Sequence, residues 1–264
     1  FRMACVPPAG GSGYPAFYSN LSQDEKKSAG KKIIRQYQDT MLECLRAIQP
    51  EYFVCSASSH VLSGKHADKN YDMSWPDNGN APYQFLKEHT TAEDTFQPIK
   101  LSPGVTLDLN EEVGVGYEEA IQYYDNKDKR DHFITDIASK TTHLYEPIQI
   151  TPLIHFDKLF ELAHSRLKHV LEIKKIDLDW CYQIPFQKDK IATLYLNPPY
   201  NLTFEEPLKA EKRLVMDVDD RLLYLLLTGG FSWNIADAAG FIVYDRVPNE
   251  YHYDMYIMFN HLRL

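Results

Sequence analysis

A long helical run held between two strand-like segments is the feature that most restricts how this chain can fold. Residues 1–8, FRMACVPP, form a short apolar run that the paired prolines stop. AGGSGYP follows as a glycine-rich turn, and residues 21–50 then carry helical periodicity in Ile33, Ile34, Tyr37, Met41, Leu42 and Leu45. Ser22 stands at the N-cap position with Glu25 three residues on, the capping-box spacing, and Pro50 closes the run. EYFVCSAS at 51–58 reads as a second strand. Strand, helix and strand in this order predict a right-handed crossover joining two neighbouring parallel strands, and hence an α/β unit.

The rest of the chain extends that reading. Residues 60–80 read as a polar loop, APYQFLKEH as a short helix with Pro82 in its first turn, and residues 96–112 as edge strands broken at Pro103-Gly104. Residues 1–112 are therefore expected to be one α/β domain and 113–147 a polar linker, with short helices at Glu118–Tyr124 and Asp131–Ser139. A second, smaller domain is expected over 148–264. It opens with a helix whose apolar face is Phe156, Leu159, Phe160, Ala163, Leu167, Val170 and Leu171. DWCYQIPF, KIATLYLN, NLTFEEP and KRLVMDVD are spaced as a strand meander, and DDRLLYLLLTGG returns to helix with glycines at its end. One helix, a meander and further helices give an α+β domain.

Charge and cysteine usage narrow the functional classes. With 28 Lys and Arg against 37 Asp and Glu, the net charge is −9, which repels a phosphate backbone and argues against nucleic-acid partners. The basic group Lys26, Lys27, Lys31, Lys32 and Arg35 reads as a solvated helix face. Cys5, Cys44, Cys55 and Cys181 lack CxxC spacing and fit buried thiols in a reducing, cytoplasmic setting. No apolar run approaches the ~18 residues of a membrane span, so no membrane partner is expected. The chain begins at Phe1 directly in a strand pattern, from which a preceding portion or a companion chain is expected.

Candidate site residues fall in two places. Gly10, Gly11 and Gly13 follow the first strand and are expected to line a cleft; their spacing is neither GxGxxG nor a Walker loop. His60, His66, Asp68 and Asp72 form the densest metal-competent group, because imidazole nitrogens and carboxylates can complete a zinc or iron shell. Of these, His60, His66 and Asp68 are the predicted metal ligands, although no HxHxDH or HExxH accompanies them. Asp217, Asp219 and Asp220 precede LLYLLL and read as helix-capping residues. No catalytic residue can be assigned.

FRMACVPPAGG, the long helix ending AIQPEYFVCSAS, and APYQFLKEH together resemble the C-terminal half of a metallo-β-lactamase-fold domain of the UlaG-like and CMP-N-acetylneuraminate hydroxylase-like branch. The stretch DDRLLYLLLTGGFSWNIADAAGFIVYDRVPNEYHYDMYIMFNHL resembles the C-terminal extension of such proteins, and the meander with its LLxxLLTG helix is also similar to sterol-carrier-like modules. The resemblance implies a partial αββα domain followed by the smaller α+β domain. It also implies a divalent metal (Zn, Mn or Fe) that activates a water to hydrolyse an ester, phosphoester or lactone, with His60 as the nearest match to the family's terminal histidine. The alternatives are an iron-dependent oxygenase on the same fold and a non-catalytic binding or assembly module, with a small-molecule substrate or another copy of the chain as partner.

Overall fold

The computed structural model describes residues 1–7, 12–56, 61–71, 81–99, 127–151, 153–204 and 210–264. The chain is a mixed α/β protein with two β-sheets and divides into two compact units. Unit 1 comprises Phe1–Ala16 and Gln23–Thr141; unit 2 comprises Phe17–Ser22 and Thr142–Leu264.

In unit 1, β1 (Met3–Val6), β2 (Tyr52–Cys55) and β3 (Gln97–Ile99) form a parallel sheet in the order β1-β2-β3. The register Ala4↔Phe53 and Val6↔Cys55 sets these four residues on the sheet face that meets the core. The long helix α1 (Gln23–Ile48) carries the β1–β2 crossover and sets Met41, Leu42 and Leu45 against Phe53, while α2 (Ala81–His89) adds Phe85 and Leu86. Asp24 and Glu25 in the first turn of α1 oppose the positive end of its dipole. At the carboxyl edge of the sheet the Tyr83 hydroxyl accepts from the Cys55 N–H at 3.2 Å and donates to the Ile99 carbonyl at 3.0 Å, tying β2 to β3.

Three expectations need adjustment here. The predicted loop from 60 to 80 contains a 3₁₀ helix at Gly64–Tyr71, held by Asn70, whose side chain bonds the Leu62 N–H and carbonyl and the Ala67 carbonyl. Lys26 is not part of a solvated basic face; it is buried and donates to the Ala16 carbonyl at 3.1 Å. The later of the two linker helices is α3 (Lys127–Asp136), and the other lies outside the described residues.

Unit 2 is built on β4 (Cys181–Phe186), β5 (Lys190–Tyr195), β6 (Leu202–Thr203), β7 (Arg213–Val218) and β8 (Ile242–Val247). The sheet order is β6-β5-β4-β7-β8, so the four expected meander strands are not a simple meander. β4, β5 and β6 pair antiparallel in sequence, but β7 pairs parallel with β4 on its other side. β4 is thereby central, and Cys181, Tyr182, Gln183 and Ile184 are all buried, as expected of a strand covered on both faces. Helix α4 (Phe156–Lys174) buries Phe156, Phe160, Ala163, Leu167 and Leu171, the predicted stripe without its flanking Leu159 and Val170. α5 (Asp220–Leu227), α6 (Trp233–Ala238) and α7 (Tyr253–Met258) complete the unit.

The free edge of β8 is covered by residues 17–20. Tyr18 bridges Tyr244 in parallel, with Tyr244 N–H donating to the Phe17 carbonyl at 2.8 Å and Ser19 N–H to the Tyr244 carbonyl at 2.7 Å. The Asn20 amide donates to the Arg246 carbonyl at 2.7 Å. Beneath this strap the Tyr18 and Tyr256 hydroxyls bond each other, the Arg246 guanidinium donates to the Tyr256 hydroxyl at 2.8 Å, and its carbon lies 4.9 Å from the centre of the Tyr18 ring. Burial raises the Tyr18 hydroxyl well above the ordinary tyrosine value and pushes Tyr256 up to about 12, so both stay neutral hydrogen-bonding groups.

Candidate functional site

The parallel pairing of β4 and β7 sends both carboxyl ends, Phe186 and Val218, to one edge of the unit 2 sheet. The chain leaves them differently. After Phe186 it reverses through Gln187 and Lys188, at φ 48° and 66°, into β5; after Val218 it enters α5. A cleft of about 490 Å³ opens between the hairpin turn and the helix start, lined by Ile150, Pro185–Lys188 and Asp217–Arg221. Crevices outside the carboxyl ends of strands are favoured binding positions, and this volume lies within the ~300–1,000 Å³ usual for small-molecule sites.

Three of the polar residues in the cleft wall maintain its shape. Asp219 caps α5 by accepting from the Arg221 N–H at 3.0 Å, as the sequence reading of this acidic group expects. The same carboxylate takes both arms of the Arg221 guanidinium, Nε at 2.8 Å and Nη2 at 2.7 Å, while Nη1 donates to the Glu146 carbonyl at 2.8 Å. The Tyr145 ring lies 5.8 Å from the guanidinium carbon, and burial pushes its hydroxyl up to about 12. Asp220 receives the Gln187 N–H at 3.2 Å on each carboxylate oxygen, pinning the hairpin turn to the helix. Phe186 and Val218 supply a buried apolar floor.

The chain matches no family model, no curated protein and no solved structure. Its own geometry therefore carries the functional reading.

That geometry corrects the metal expectation. Among the described residues no group of three or more His, Cys, Asp or Glu is placed to hold a metal ion. His66 and Asp68 both lie on the 3₁₀ helix Gly64–Tyr71, where two residues of separation turn the side chains ~120° apart. Asp68 is exposed and faces Lys69, at 3.7 Å, and His66 is half-buried. The metal-dependent hydrolase, the iron oxygenase and the zinc, manganese or iron cofactor drawn from the resemblance are not supported by these residues. His60, Asp72, Gly10 and Gly11 lie outside the described residues. Gly13 is buried beside a turn in which the Ser12 hydroxyl accepts the Tyr14 N–H at 3.2 Å. Among the described residues no helix is long and apolar enough to cross a membrane.

Sequence reasoning missed the cleft. It recognised the Asp219–Leu227 start signal, but only the β4–β7 pairing brings Gln187 and Lys188 beside it. The signal in QKDK, a polar tetrad between two apolar strands, identifies a turn and nothing about what the turn faces.

Proposed function

We propose that unit 2 is a binding module for a small molecule, with the cleft at the carboxyl ends of β4 and β7 as its site. The carrying observation is the combination of a buried apolar floor, Phe186 and Val218, with walls tied together by the Asp219–Arg221 fork and the Asp220–Gln187 hydrogen bond. A preorganised concave site of this kind loses little conformational freedom when a ligand enters. The likeness of the LLxxLLTG segment to sterol-carrier-like modules agrees with a binding role.

For unit 1 we infer the frame of the C-terminal half of a metallo-β-lactamase-like domain. The parallel β1–α1–β2 crossover followed by α2 and β3 supports that reading as a statement about fold, and among the described residues no metal-holding group accompanies it.

The test of binding is methyl NMR of the full chain during titration with a library of small polar and apolar fragments. Binding predicts saturable shifts at Ile150 and Val218, and loss of the Val218 shift in Ile150→Trp, which fills the half-buried rim. Fragments that never shift these methyls would refute the reading.

A further inference from the structure

Charge accounting around the cleft points to what it holds. Five lining side chains ionise: Lys188, Asp217, Asp219, Asp220 and Arg221. Asp219 and Arg221 are closed on each other through two bonds, and releasing either would leave the other charge without its partner. Asp220 accepts the Gln187 N–H and stands in the first turn of α5, where the positive end of the helix dipole offsets its charge. Lys190, at the start of β5, is held by Asp157 at 2.8 Å and lies outside the lining. Among the described residues, Lys188 and Asp217 remain as the two charged lining groups with no hydrogen bond or ion pair. One is positive and one negative. Lys188 stands in the turn after β4, and Asp217 is the penultimate residue of β7.

We propose that the cleft takes a small zwitterion bearing an apolar group, its cationic end on Asp217, its anionic end on Lys188 and its apolar group on Phe186 and Val218. This rests on the binding reading above and names its ligand class. A simple anion would leave Asp217 unmatched and a simple cation would leave Lys188 unmatched, whereas a zwitterion answers both charges without changing the net charge of the site. About 490 Å³ exceeds what two ionic groups need and leaves room for an apolar side chain over the floor.

The probe is the dipeptide leucyl-phenylalanine, titrated into the full chain by calorimetry with Ile and Val methyl NMR as the site readout. N-acetylated, C-amidated and doubly capped forms are run in parallel. The zwitterion is expected to shift Ile150 and Val218 and to bind about tenfold or more tightly than any capped form, the scale of one charge-assisted hydrogen bond. Asp217→Asn should weaken the zwitterion while leaving the N-acetyl form unchanged, and Lys188→Met should weaken it while leaving the C-amide unchanged. Both side chains are exposed, so neither change threatens the fold. Equal binding of the doubly capped form at the same methyls would overturn the zwitterion while the cleft remained a binding site. Absence of methyl shifts with every probe, charged or neutral, would overturn both.

Discussion

Gly240 and Phe17 occupy one another's space: a Cβ built on residue 240 would lie 2.1 Å from Phe17 Cζ. Gly240 has φ +69° just past the end of α6, where its N–H donates to the Asp237 carbonyl at 3.0 Å and the next N–H returns to Ala236 at 2.9 Å. Two independent constraints, backbone conformation and ring contact, therefore require glycine here.

Gly240→Ala is expected to destabilise the protein by about 3 kcal/mol or more, combining left-handed strain with overpacking against a buried ring. Phe17→Ala should cost a similar amount through the cavity it leaves. Because the two positions touch, the double variant should cost less than the sum. Denaturant unfolding of the four proteins checks this, and an unchanged midpoint in Gly240→Ala would contradict it.

The Arg46 guanidinium forks onto Asp94, Nε at 2.9 Å and Nη2 at 3.0 Å, and the Thr91 N–H adds a bond to the same carboxylate. Together they hold the Asp94 carboxyl well below the usual carboxylate range, Arg46 being the larger cause. A depressed folded-state value means the contribution is complete above the unfolded value of about 4 and is lost as pH falls through the folded value. Asp94→Asn should flatten the stability–pH curve below about pH 4. A wild-type curve that does not bend more steeply than the variant's in that region would argue against the fork.

His164 on α4 is held below the ordinary imidazole value by burial, partly offset by the Tyr200 backbone, and His261 is lowered chiefly by burial too. Between the folded and unfolded values the unfolded chain binds more protons, so stability rises with pH across that interval. Stability should accordingly fall as pH drops below about 6.5. His164→Gln should reduce the slope between neutral and mildly acidic pH; identical slopes by thermal unfolding would rule His164 out as a contributor.

Burial pushes the Cys181 thiol up to about 11, while Cys5 is exposed on β1. The thiolate is the reactive species, so Cys5 should alkylate first at pH 8 and Cys181 should stay unmodified until the fold opens. Peptide mapping after a timed iodoacetamide pulse separates the four sites. Early labelling of Cys181 under native conditions would mean that the central strand β4 is not closed.

The local elements were legible because their signals are local. The stripe Phe156, Phe160, Ala163, Leu167 and Leu171 specifies α4, Asp219 before an apolar run specifies the start of α5, and FRMACV, the long helix and EYFVC specify the β1–α1–β2 crossover. Periodicity and capping act within one or two helical turns, and a single chain carries all of that information.

What only the tertiary structure decided lies in partners distant along the chain. Phe17 and Tyr18, in the stretch between the glycine-rich turn and the long helix, prove to be the cover of β8 and meet Gly240 and Tyr244 more than two hundred residues away. β7 follows β6 in sequence yet pairs with β4, and that exchange creates the crevice between Lys188 and Asp217. The metal reading failed for the complementary reason: residue types suited to ligation say nothing about convergence, and the 3₁₀ turn sends His66 and Asp68 apart. Residue chemistry and short-range periodicity are written in the sequence, whereas strand order and convergence follow from which long-range pairings bury the most apolar surface with their backbone groups satisfied.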